Sequence, residues 1–346
     1  MHGGIVVIGK QSMTHKKSET KKSPLSFILK IALSFGLLAW IFSKIDMAHT
    51  WSVIQNADLG YLSWAFFVFF LINIVILLRW NILIAALRLD APLWDVSKWF
   101  FIGIFCNLFL PSSVGGDVVK ILGLSKVVQQ KPKVFASVVL DRLSGFAGIV
   151  IVSAIMFVVG YEHIPDRSVG WSIIFMTLVS LAIATVLFSH RIYSFCCKLF
   201  NRWPSVKESL MNVHYDIALM KGKVGEGLLS ILLSCLAQLL LAYVYFIVAK
   251  ALNQNVDFLY FLIFSPLICV ATALPSIGGL GVREMGWAYL LGKVGVVQGV
   301  AVSISLINFL FMVIVGLIGG AMYVVTFFDR RIQFDQAKSG VRRQKT

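Results

Sequence analysis

The sequence predicts an all-α polytopic membrane protein. About six transmembrane helices are joined by two oppositely oriented re-entrant helical hairpins, in an inverted-repeat architecture. Three observations lead there. The 346-residue chain is 58% hydrophobic and only 14% charged, with a mean hydropathy of +0.86, whereas soluble domains carry about 25% charged residues. Two hydrophobic runs, one in each half, are broken by related stretches, Pro111-Ser112-Ser113-Val114-Gly115-Gly116-Asp117 and Pro275-Ser276-Ile277-Gly278-Gly279-Leu280-Gly281. The basic residues also fall in alternate loops, so the strongly charged segments can all lie on one side of a membrane.

Taken in order, residues 1–24 read as a disordered basic cytoplasmic tail with Lys10, Lys16, Lys17, Lys21 and Lys22. The run Leu25 to Phe42 resembles a signal peptide in charge and length. No small-x-small cleavage site follows it, so it is expected to remain as a first span. An outer loop with Lys44 leads to a second span, Leu59 to Leu78, which ends inside at Arg79 and Trp80. The next apolar run, Trp99 to Leu110, has about a dozen residues where a crossing needs about 20. It stops at Pro111, and a second short piece runs from Asp117 to about Val128 before Lys131 and Lys133. The economical reading is a hairpin over about 99–128 that enters from the cytoplasm and returns there.

Spans follow at about Val134 to Val159 and Trp171 to Ser189, joined by an outer loop whose basic residue is Arg167. The polar interval beyond carries Lys198, Arg202, Lys207, Lys221 and Lys223, so it is placed in the cytoplasm. Within it Val206, Leu210, Val213, Ile217 and Met220 recur at helical spacing, the pattern of an interfacial amphipathic helix. A span over Leu228 to Ala249 goes out. A second hairpin over about 258–291 enters from outside, and a last span, Val297 to Phe327, delivers a basic tail at 329–346 to the cytoplasm. The domain between the tails is 25–328, and both termini lie inside.

The formal net charge of +15 would suggest nucleic acid in a soluble protein. Here the positive-inside rule accounts for it, and no nucleic-acid partner is expected. The cysteines, Cys106, Cys196, Cys197, Cys235 and Cys269, are odd in number and lack metal-ligand spacing, so they read as free thiols. No His-Glu-x-x-His, Gly-x-Ser-x-Gly or P-loop pattern occurs. No cofactor, metal or catalytic residue is expected.

Backbone broken at membrane depth survives only where protein or water satisfies it. The proline ends one half-helix, and the glycines allow close approach. Each following half-helix, from near Asp117 or Val282, points free N–H groups and a positive dipole end into the protein, which suits a phosphate. Ser112, Ser113 and Ser276 add hydroxyls beside Gly115, Gly116, Gly278 and Gly279. Small residues also serve simply to let helices pack closely. Ionisable groups at this depth are costly and are paired or functional. They are Asp117 and Lys120, Arg283 and Glu284, and Asp141 with Arg142, while Arg79 closes the second span. Arg283 and Arg142 are the expected phosphate holders, because arginine meets phosphate bidentately. Asp141, Glu284 and Asp117 would balance them or carry a coupling proton. Lys120 can equally snorkel to the surface, and all of these can be structural ion pairs.

Three motifs in order carry a family resemblance. They are Asn107-Leu108-Phe109-Leu110-Pro111-Ser112-Ser113-Val114-Gly115-Gly116-Asp117, then Asp141-Arg142, then Leu274-Pro275-Ser276-Ile277-Gly278-Gly279-Leu280-Gly281-Val282-Arg283-Glu284. Over about residues 25–330 the chain resembles the transmembrane domain of lysylphosphatidylglycerol synthases. This flippase-like family is also found as the membrane part of an archaeal dolichyl-phosphate glycosyltransferase. The resemblance implies a domain that flips an aminoacylated lipid made by a separate cytosolic domain, which is not expected here. Lys120 stands where the family's pattern commonly has arginine, which keeps the charge and loses the fork.

The expected function is translocation of a phosphate-bearing lipid in a bacterial or archaeal inner membrane. Phosphatidylglycerol, an aminoacyl-phosphatidylglycerol and a polyprenyl-phosphate-linked sugar all fit. The headgroup would pass between the two hairpin tips with its tails in the bilayer, and one repeat would rock against the other. The alternatives are a membrane subunit of a lipid-headgroup transferase, with a separate soluble catalytic partner on the basic face, and a scaffold without transport.

Overall fold

The computed structural model describes residues 51–52, 55–109, 115–160, 170–171, 222–272 and 280–343. Among them the regular elements are eight helices: α1 Leu59–Ala86, α2 Leu93–Phe109, α3 Gly115–Leu124, α4 Lys131–Val159, α5 Val224–Ala251, α6 Phe258–Ala271, α7 Val282–Gly292 and α8 Gln298–Arg343. Four stretches are long and apolar enough to cross a membrane: α1, α4, α5 and the Gln298–Thr326 part of α8. The expected tail at 1–24, the expected span at 25–42 and the interfacial helix at 204–220 lie outside the described residues, as does nearly all of the expected span at 171–189.

Local chemistry sets the helix starts. Asp58 caps α1, its Oδ1 accepting from the N–H groups of Gly60 at 2.7 Å and Tyr61 at 3.3 Å. Asp257 caps α6 in the same way through Leu259, at 2.8 Å. A proline in the first turn of α4 supplies a preset φ where an N–H would have no helical partner. The Asp58 amide also donates to the Ala251 carbonyl at 2.9 Å, tying the start of α1 to the end of α5. Further along, Trp64 Nε1 meets Tyr243 Oη and Arg79 meets Ser234, so α1 and α5 run antiparallel in contact along their length.

Two elements differ from expectation. α1 continues beyond Arg79 to Ala86, so Arg79 lies inside the helix and not at its end. A paired charge is tolerated there, and the pairing is described below. α2 starts at Leu93, six residues before the apolar run, because its first turns are polar and carry the Lys98–Asp95 ion pair at 2.6 Å.

The short helices form two packed pairs. α2 and α3 are antiparallel and close. A Cβ added at Gly116 would lie 2.3 Å from the Gly103 carbonyl oxygen, and one at Gly123 would lie 2.0 Å from the Trp99 ring. α6 packs against α7, where Gly286 faces Ile268. α3 has 10 residues and α7 has 11. At about 1.5 Å per residue neither reaches across the roughly 30 Å of a hydrocarbon core. α8 lies on α2 through its own glycines, and a Cβ at Gly319 would sit 1.9 Å from the Phe101 carbonyl oxygen.

The apolar interior divides in two. One cluster joins the first half of α1 to α5, α6, α7 and α8 around Phe261, Phe264 and Trp287. The other joins the second half of α1 to α2, α3 and α4 around Trp80, Phe100 and Leu124. The buried charged groups of α1 and α4 lie where these cores meet.

Candidate functional site

A cavity of about 410 Å³ opens among α1, α2, α3, α4, α5 and α6. Its charged lining is Arg79, Asp117, Lys120, Asp141 and Arg142. Three of these are cations and two are carboxylates. Ion pairs account for most of that charge, and the pairing runs between helices. Arg79 Nε on α1 donates to Asp141 Oδ1 on α4 at 2.8 Å, and its Nη1 donates to Ser234 Oγ on α5 at 3.0 Å. Gly145 leaves room for this guanidinium, because a Cβ there would come within 3.2 Å of Nη1. Arg142 Nε on α4 donates to Asp117 Oδ2 on α3 at 2.6 Å. The sequence neighbours Asp141 and Arg142 thus serve different partners, as successive helical residues project about 100° apart.

Lys120 is the cation left over. Its nearest carboxylate is Asp117, at 3.8 Å, beyond hydrogen-bonding reach and already engaged by Arg142. It does not snorkel to the surface: the residue is 7% exposed. Its ammonium lies 4.6 Å from the centre of the Phe100 ring and 5.3 Å from that of Trp80, which holds a cation without neutralising it. Trp80 is itself fixed by its Nε1 donating to Ser137 Oγ at 3.2 Å.

α5 adds uncharged polar groups. Ser230, Ser234 and Gln238 recur every four residues on it and are buried, and Ser234 and Gln238 line the cavity. Ser234 Oγ donates to the Ser230 carbonyl at 2.8 Å while accepting from Arg79. Asn107 Oδ1 accepts from the Gly116 amide at 2.7 Å, which commits its oxygen and turns its Nδ2 outward from that bond. Apolar side chains complete the lining. Phe146 and Ile149 follow Arg142 at i+4 and i+7, on one stripe of α4, and Arg142 and Phe146 are exposed at its outer side.

The second charged group is closed. Glu284, on α7, is fully buried. Its Oε1 accepts from Arg283 Nη2 at 2.8 Å, from Arg283 Nε at 3.2 Å and from Ser305 Oγ at 3.0 Å. Its Oε2 accepts from the Gly281 amide at 2.6 Å, the residue that opens α7 with φ of 85°. The Arg283 guanidinium lies 5.4 Å from the centre of the Phe309 ring. A protein carboxylate therefore occupies the end of the α7 dipole, where a phosphate was expected. Neither Arg283 nor Glu284 lines the cavity.

Of the sequence candidates, the structure brings Asp117, Lys120, Asp141 and Arg142 together, with Gly115 and Gly116 opening α3 beside them. Ser112, Ser113, Ser276, Gly278 and Gly279 lie outside the described residues. Arg79, Asn107, Ser234, Gln238 and Thr272 line the cavity without having been chosen as binding residues. The serine–serine–glutamine stripe of α5 was a visible signal, since it puts three polar groups on one face of an otherwise apolar run.

A family model described as the lysylphosphatidylglycerol synthase TM region matches residues 27–320. The chain is also similar to the UPF0104 membrane protein PH1989 of Pyrococcus horikoshii, with 24% identity over 315 residues that cover 83% of this chain and 92% of that one. No solved structure matches it significantly.

Proposed function

The chain belongs to the family of the lysylphosphatidylglycerol synthase transmembrane region, and from that premise we propose that it moves a lipid with a phosphate-bearing headgroup between the leaflets of a membrane. The observation that carries this reading is Lys120, a buried cation facing a cavity whose carboxylates are already paired to arginines. A charge at membrane depth that lacks a hydrogen-bonded counter-ion is costly. A phosphate entering beside it would restore neutrality and accept the hydrogen bonds that the Lys120 ammonium can donate. The exposed stripe from Arg142 to Phe146 supports a lipid over a free anion, since it sets a cation beside an apolar flank on which an acyl chain can lie.

In this reading α2–α3 and α6–α7 are re-entrant hairpins entering from opposite faces, and six spans surround them. The headgroup is held by the α2–α3 side, while Arg283 and Glu284 clamp the α6–α7 side. Both termini face the cytoplasm of a cell bounded by this inner membrane.

The test is movement of labelled phosphatidylglycerol, aminoacyl-phosphatidylglycerol and a polyprenyl-phosphate sugar between leaflets of reconstituted liposomes. Wild-type protein should accelerate at least one of them over protein-free vesicles. Lys120→Met removes the surplus cation and leaves the Arg142–Asp117 pair intact, so it should fold as wild type and move lipid at least about tenfold more slowly. Unchanged movement in that variant refutes the site.

A further inference from the structure

Resting on that reading, we propose that the cavity selects a phosphodiester carrying a single negative charge and an uncharged, hydroxyl-rich substituent, and refuses a headgroup bearing an ammonium. Charge gives the first half. Among the described lining residues, three cations face two carboxylates, a surplus of one positive charge that one phosphodiester balances. A phosphomonoester dianion would overshoot it.

Donor capacity gives the second half. Both carboxylates are engaged by arginines, at 2.8 and 2.6 Å. The Ser234 hydroxyl donates to a backbone carbonyl and accepts from Arg79, and the Thr272 hydroxyl donates to the Cys269 carbonyl at 2.7 Å. Among the described residues each carboxylate is hydrogen-bonded through one oxygen only, Asp141 by Oδ1 and Asp117 by Oδ2; the other uncommitted side-chain groups of the polar lining are N–H donors. Gln238 is 7% exposed, and its Oε1 takes a weak contact from Cys269 Sγ at 3.9 Å. Its Nε2 has no acceptor among the described residues, and neither has Asn107 Nδ2, whose oxygen is held by the Gly116 amide. Two amide groups and a lysine ammonium therefore face the cavity as donors.

Such a lining suits oxygen acceptors: phosphate oxygens, and the hydroxyl oxygens of a glycerol or a sugar. An ammonium adds a positive charge to a described lining that already holds three cations against two carboxylates. Like charges brought together in this way are strongly repelled.

The experiment measures binding and movement separately, with four lipids: phosphatidylglycerol, a polyprenyl-phosphate hexose, phosphatidylethanolamine and lysyl-phosphatidylglycerol. Binding is titrated in detergent by tryptophan fluorescence, and movement is followed in reconstituted liposomes. The glycerol lipid or the sugar lipid should bind at least about tenfold more tightly than either ammonium lipid. Whichever of the two does so identifies the substituent. Gln238→Glu puts a carboxylate in place of the donor and should shrink that preference about tenfold, whereas Gln238→Met should weaken binding without favouring ammonium. Equal binding of all four lipids, tighter binding of an ammonium lipid, or binding of none overturns the selectivity. Selective binding with no movement of any lipid leaves the selectivity standing and defeats the transport reading instead.

Discussion

α3 and α7 are two short helices of nearly equal length, each following a broken apolar run and each with an acid at its third residue. Asp117 and Glu284 nonetheless do opposite things. Glu284 turns back on its own helix, takes the Gly281 amide and the neighbouring Arg283, and is sealed by Ser305. Asp117 reaches outward to Arg142 on α4, with Lys120 beyond hydrogen-bonding distance behind it. One motif, used twice, thus gives a neutral internal clamp on one side and a charged, accessible lining on the other. A buried ion pair at a helix break is therefore not in itself a binding site. What separates the two is a cation that the protein leaves without a hydrogen-bonded acid.

Removing Glu284 carries the largest expected effect. Glu284→Ala leaves Arg283 buried without its carboxylate and the Gly281 amide without its acceptor. The loss should be about 3–5 kcal/mol of stability, read as a large fall in thermal midpoint in detergent. Lys120→Met should show the reverse pattern, with lost lipid movement and little lost stability. If Glu284→Ala keeps its thermal midpoint and loses transport, the clamp belongs to the transport site and the contrast collapses. At the small end, Lys98→Ala removes the part-exposed Asp95–Lys98 pair near the start of α2 and the Lys98 contact with the Trp99 ring. It should cost no more than about 0.5 kcal/mol and leave lipid movement at the wild-type rate. A larger transport effect there would show that charge near the cavity, and not the buried lysine, sets the rate.

Much of the fold was legible in the sequence. The expected spans at 59–78, 134–159, 228–249 and 297–327 coincide with α1, α4, α5 and the apolar part of α8, because runs of twenty or so apolar residues have few alternatives to a helix. The ends were less so. Arg79 and Trp80 looked like the arrival at a charged surface, yet Asp141 and Ser234 keep Arg79 within the helix. A partner 62 residues away leaves no local trace at Arg79. The same holds for the site. The acids and bases were visible as intramembrane charges, but which acid each base would take depends on how α1, α3 and α4 are turned toward each other. The polar stripe of α5 shows in the four-residue spacing of Ser230, Ser234 and Gln238, but uncharged polar residues are equally common at packed helix faces, so spacing alone does not mark it as a cavity lining.

The lysine seated between Trp80 and Phe100 also bears on how such a device responds to voltage. An empty cavity carries one surplus charge in its described lining, and a cavity holding a monoanionic headgroup carries none. A membrane potential does no work on a neutral carrier, but it acts on a charged one with about 2.3 kcal/mol per elementary charge per 100 mV across the full field. In the proposed transport cycle, the return of the empty protein would then be the electrical step and the loaded crossing would be electrically silent. Proteoliposomes polarised with a potassium gradient and valinomycin should therefore change their net lipid flux as the potential changes, with Lys120→Met insensitive to it. A wild-type flux independent of potential would mean that Lys120 stays outside the field when the cavity reopens.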